Sequence, residues 1–144
     1  IWDREDIEKI MDLGADAVQL GTRFIGTHEC DASPVFKQVL LDSKEEDIVI
    51  VSSPVGYPGR AVKTNLIKTL EPDTKNIKCI SNCIFPCNRG EGARRVGYCI
   101  ADSLGDAYLG RLQSGLFFSG ANGYKLKEIV HVKDLIDELM TNEK

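Results

Sequence analysis

The chain has 144 residues, 18 of them basic and 22 acidic, for a net charge of −4. That length suffices for one domain, the acidic balance argues against a general nucleic-acid binder, and no apolar run reaches the ~20 residues of a membrane span. Five cysteines are an odd count without the spacing of a secreted disulfide framework, so a reducing cytoplasm is the expected compartment.

Asp3 predicts a helix N-cap, with Asp6 three positions on. Ile7, Ile10, Met11 and Leu13 follow at helical spacing and Gly14 offers a C-cap, so a helix with a core-facing apolar side is expected. Ala17 to Leu20 are mostly apolar and predict a short strand buried on both faces, as in a parallel sheet. Gly21 ends that strand, and Thr22 places a hydroxyl and a backbone N–H at its carboxyl end, where α/β folds bind ligands. Taken alone, a Gly-Thr pair after a strand is more often a plain turn.

Phe24 to Ala32 reads as a loop. His28, Glu29 and Cys30 are metal-ligand types, but three adjacent residues do not converge readily on one ion, and no metal is expected. Ser33-Pro34 is an N-cap followed by proline at the first helical position, and Val35, Phe36, Val39, Leu40 and Leu41 continue a helix that leaves Lys37 on a solvated face. Ser43 to Asp47 is a charged turn, and the β-branched run Ile48 to Val51 predicts a strand. Ser52 to Gly59 carries loop chemistry; Arg60 follows, and Ala61 to Leu70 predicts a helix.

Cys79, Cys83 and Cys87 recur at a spacing of four, with Cys99 beyond. Iron–sulfur or zinc ligation and redox activity are alternatives, but the tight C-x2-C knuckle is absent and burial as small apolar residues is preferred. Asn88 to Gly97 is a Gly/Arg loop that is either solvated or suited to a phosphate, without the order of a dinucleotide fingerprint. Tyr98 to Leu109 predicts a helix ended by Gly110, Gly115 to Phe118 a short apolar segment, and Ser119 to Gly123 a small-residue loop. Val132, Leu135, Ile136, Leu139 and Met140 predict an amphipathic last helix.

The stretch Gly14-Ala15-Asp16-Ala17-Val18-Gln19-Leu20-Gly21-Thr22-Arg23-Phe24 closely resembles the last barrel strand of the nitronate monooxygenase (2-nitropropane dioxygenase) family, which includes the enoyl-ACP reductase II type enzymes. The resemblance continues through Thr27, Glu29 and Lys37, through Ser53 to Ala61 with Asn65, and through Gly115-Leu116-Phe117-Phe118-Ser119-Gly120. It implies an α/β chain, the C-terminal portion of an FMN-binding TIM barrel. Residues 1–32 would close the barrel, 33–125 would form a mostly helical second domain over its mouth, and 126–144 would return to the barrel. A TIM barrel takes about 250 residues, so a fragment is expected, which alone neither retains FMN tightly nor turns over a nitronate.

The resemblance further implies an FMN-dependent oxidoreductase that oxidises alkyl nitronates with dioxygen. Reduction of an enoyl thioester by NAD(P)H is the alternative among enzymes, and a non-catalytic interaction domain is the alternative from another class. Gln19, Gly21, Thr22, Ser119 and Gly120 would hold FMN; Asn122 would belong to the substrate loop, although the sequence departs there from the usual Ala-Gly-Gln form. Glu29 would pair with Arg60, the alternative for Arg60 being direct contact with substrate. Neither His28 nor His131 matches the family's catalytic histidine, which is therefore expected upstream of Ile1. The expected partner is a small-molecule nitronate or enoyl thioester, with no nucleic acid and no membrane. The unpaired edges of a lone barrel strand leave a homodimer open.

Overall fold

A computed structural model describes residues 1–70, 80, 83, 87 and 96–141. The first helix, α1 (Arg4–Asp12), begins as its sequence dictates. The Asp3 carboxylate accepts the Asp6 N–H at 2.9 Å, and the Asp6 carboxylate accepts the Trp2 N–H at 2.7 Å. At its other end the Gly14 N–H donates to Met11 O and the Ala15 N–H to Ile10 O, with Gly14 at φ +96. That pair of bonds is a Schellman stop. The apolar side of α1 is not core, however. None of its residues is buried, and Leu13 just beyond it is 83% exposed.

Residues 15–21 correct the expected strand. They run without regular structure, and Ala17 and Gln19 are exposed. A strand exists by pairing, and among the described residues nothing pairs with this segment. Thr22 then opens a short helical turn, α2 (Thr22–Ile25), which takes in Phe24 and Ile25 from the expected loop. Thr27 forms a parallel bridge with Val130, and the His28 N–H donates to Val130 O at 2.9 Å.

Helix α3 (Pro34–Leu41) starts at Ser33, whose Oγ accepts the Phe36 N–H at 3.2 Å. Lys37 departs from expectation. It is half-buried and donates to the carbonyls of Thr27 and Cys30 at 2.6 and 2.7 Å, fastening the loop ahead of its own helix. A 3-10 turn at Glu45–Asp47 leads into β1 (Ile48–Val51). β1 pairs antiparallel with β2 (Gly59–Val62), with Ile48 opposite Val62 and Val51 opposite Gly59. The expected helix from Ala61 is thus a strand at its start, and only α4 (Asn65–Lys68) is helical. Pairing with β1 accounts for the difference, because Ala61 and Val62 are buried in the sheet's company rather than along a helix face.

Helix α5 (Ile100–Tyr108) ends in a second Schellman stop at Gly110, where the Gly110 N–H donates to Ala107 O and the Arg111 N–H to Asp106 O. The following segment lies along the second edge of β2. The Val62 N–H donates to Phe117 O at 2.9 Å and the Ser119 N–H to Arg60 O at 3.1 Å. This edge delivers Ser119 and Gly120 to a fixed place. A 3-10 turn at Gly123–Lys125 leads to α6 (Val132–Met140), which buries Leu135 and Leu139 and packs on α1.

Two apolar clusters hold these elements. One gathers Trp2, Leu40, Val62, Ala107, Phe117 and Leu126, with Phe36 edge-on to Phe117 at 5.0 Å between ring centres. The other gathers Val51, Ala61, Tyr98, Ile100 and Leu116. Tyr98 also donates its hydroxyl to Ser52 O at 2.7 Å, and burial pushes its phenol up to about 12. Cys99 is buried, as expected, and Cys83 and Cys87 are half-buried. Cys79 and residues 88–95 of the Gly/Arg loop lie outside the described residues. Among the described residues no helix is long and apolar enough to cross a membrane.

Candidate functional site

The two small-residue segments singled out by the sequence meet, although 98 positions separate them. Thr22 Oγ1 accepts the Gly120 N–H at 2.8 Å. A Cβ on Gly120 would stand 3.3 Å from that oxygen, so glycine permits the approach. The contact sits beside a cavity of about 170 Å³ whose lining includes Gln19, Gly21, Thr22, Gly120 and Asn122.

Gly21 precedes the first residue of α2, and no side chain caps the turn. The Phe24 and Ile25 N–H groups return to Gly21 O, whereas the N–H groups of Thr22 and Arg23 stand in the first turn, which has no intrahelical acceptor. A Cβ at Gly21 would meet no heavy atom within 4 Å, and its φ of −125 is open to any residue. A side chain there would take up open space without straining the backbone.

Ser119 stands behind the cavity rather than in its lining. It is 7% exposed and donates to Gly120 O at 3.0 Å. Its hydroxyl occupies the space where a Gly123 Cβ would fall, 1.9 Å from Ser119 Oγ. The residue therefore shapes the loop that carries Gly120 and Asn122.

The expected Glu29–Arg60 pair is replaced by another. Glu29 Oε1 lies 3.0 Å from His131 Nδ1, and Oε2 accepts the Val132 N–H at 2.9 Å. Glu29 thus supplies the cap of α6 that the His131 side chain does not. The Val132 N–H, then the His131 ring, hold its carboxyl below the usual carboxylate range. Arg60 is exposed on β2 opposite Ile50, and the hydrogen-bond partners of Glu29 are His131 and Val132 instead. The rings of His28 and His131 lie 4.6 Å apart.

Among the other residues of the cavity are Trp2 and Arg23, to which the sequence alone assigned no site role. The Arg23 guanidinium lies 4.8 Å from the Trp2 ring centre and donates to Glu138 at 2.5 Å. Arg23 follows directly on Thr22, and Trp2 is the chain's single tryptophan. Those two facts were the available signals.

Comparison with known proteins places this geometry in a family. The sequence model of the family Nitronate monooxygenase matches residues 1–142. A probable nitronate monooxygenase from Staphylococcus saprophyticus is 36% identical over 67 residues, which are 46% of this chain and 19% of that protein. One from Bacillus subtilis is 33% identical over 60 residues, 42% of this chain and 17% of that protein. The matched stretch thus spans less than a fifth of these curated relatives. FabK from Thermotoga maritima superposes on 97% of this chain, using 40% of its own, with a TM-score of 0.70 at 23% identity. A variant of that protein gives a TM-score of 0.69 at 25% identity, over 97% of this chain and 37% of its own. These likenesses agree with an α/β fold. With the family match running from α1 through α6, the chain belongs to the nitronate monooxygenase family.

Proposed function

We propose that this chain is the C-terminal portion of an FMN-binding TIM barrel and forms the phosphate-holding side of its flavin site. The enzyme would be an oxidoreductase acting on alkyl nitronates with dioxygen. The observation that carries the reading is the Thr22–Gly120 contact beside the cavity, which joins the two segments that resemble the family.

The residues present fit a phosphate-sized group. Pockets for whole drug-sized ligands run to about 300–1,000 Å³, so a cavity of about 170 Å³ suits a head group rather than an entire flavin. Gly21 leaves open space, Thr22 and Arg23 bring backbone N–H groups from the first turn of α2, and Gly120 keeps the facing wall close. Thr22 has a second duty. Its hydroxyl oxygen accepts from Gly120, which leaves the hydroxyl hydrogen free to turn toward an anion. Gln19 and Asn122 add amide donors and acceptors to the lining. FMN, when bound, supplies two-electron transfer; the residues described here bind and orient it.

Likeness to FabK keeps one second reading in view, reduction of an enoyl thioester by NAD(P)H. The test uses the longest natural chain that carries residues 1–144. A flavin spectrum together with oxygen uptake on an alkyl nitronate is the expected result. NADPH oxidation that depends on an enoyl thioester, without nitronate turnover, would favour the second reading. A colourless protein that takes up no FMN would contradict both.

A further inference from the structure

Trp2 and Arg23 form a wall shared by two cavities, the one described above and a second of about 240 Å³ that Glu138 lines. The Arg23 side chain is only 12% exposed, whereas its partner Glu138 is 50% exposed. The guanidinium is thus held from two sides, with its Cζ over the Trp2 ring and a carboxylate reaching in from α6. Among the described residues that line the first cavity, Arg23 carries the only charged side chain. A largely shielded cation acts on a neighbouring anion through a wall of lower dielectric than water, while a solvent-exposed carboxylate is screened and offsets only part of that field.

We infer that Arg23 sets the positive potential of the first cavity for a phosphate monoester, and that Glu138 holds Arg23 in place while attenuating that potential. This rests on the FMN reading and adds a device to it. Arg23 acts from the wall, as a positioning residue, and Glu138 acts through Arg23. The two halves of one ion pair should therefore have opposite effects on binding of the anion. A pair that served only to tie α2 to α6 would give effects of the same sign.

The test is titration of the flavin-stripped natural chain with FMN and, separately, with riboflavin, which lacks the phosphate. Arg23→Gln should weaken FMN binding about tenfold, the scale of losing a charged partner. Arg23→Lys should recover part of the loss, because the charge returns without the guanidinium's planar fork of donors. Glu138→Gln should tighten FMN binding about threefold, the scale of releasing an exposed ion pair, and the gain should fade at high salt. Riboflavin binding should stay unchanged in all three variants, which also shows that each is folded.

Weaker FMN binding in Glu138→Gln would overturn the inference, as would equal shifts for riboflavin. Wild-type FMN binding that ignores all three substitutions would overturn it while leaving the FMN reading intact. Wild-type protein that binds neither flavin would overturn both.

Discussion

Glu29 shows how one carboxylate can serve two groups at the start of a helix. It caps α6 through the Val132 N–H and holds the His131 ring, and both bonds favour its charged form. A carboxyl whose pKa falls on folding adds stability that is complete above its unfolded value and is lost as pH falls through the lowered one. Glu29→Gln should therefore lower the melting temperature near neutral pH. The gap to wild type should close as the pH drops below the ordinary glutamate value of about 4.3. Melting curves between about pH 7 and about pH 3 check this, and a gap that stays constant would mean that the charge is not what matters. The sequence could not disclose the pairing. Asp3 and Ser33 cap helices through groups three residues away, so their roles were legible. Glu29 meets His131 across 102 positions, and no local pattern links the two.

The elements themselves were read best where their ends carry chemistry. Both Gly14 and Gly110 stop helices with positive φ, +96 and +77. They differ in surroundings. A Cβ at Gly14 meets nothing within 4 Å, whereas at Gly110 it would fall 2.5 Å from Ser33 Oγ and 2.9 Å from Val35 Cβ. Gly14→Ala should cost about 1 kcal/mol for the backbone alone. Gly110→Ala should cost about 2–3 kcal/mol, because the packing of α5 against the start of α3 must also give way. Urea unfolding of the two variants checks the order, and equal losses would show that the clash relaxes freely. Strands were harder to read than helices, for a physical reason. Ile48 to Val51 was legible from its β-branched run, but Gly59 to Val62 is a strand only because β1 lies beside it. Ala17 to Leu20 had an apolar run too, yet such a run reports a wish for burial and not the presence of a partner.

At the scale of the molecule, long-range contacts turn a string of weak local signals into one candidate site. Phe117 sits fully buried between α3, β2 and α5, and the strand-like segment it belongs to runs along β2 to Ser119 and Gly120. That path carries Gly120 to Thr22, so the apolar core and the site have a common cause. Gly21 and Thr22 were legible as candidates because glycine and a small polar residue follow an apolar run there, whereas Gln19, Gly120 and Asn122 were singled out only through the family resemblance. Trp2 and Arg23 were not, since an aromatic ring and a cation have many ordinary uses on a surface. On the proposed function this cavity receives the flavin phosphate. That assignment is tested most directly by the ratio of flavin to protein in Gly21→Val, purified in the longest natural chain that carries these residues. The backbone at Gly21 tolerates a side chain and a Cβ there meets open space, so the variant should fold with a wild-type melting temperature in the flavin-stripped state. That variant should emerge colourless beside a yellow wild type. A yellow Gly21→Val with the wild-type flavin ratio would contradict that assignment and place the phosphate elsewhere.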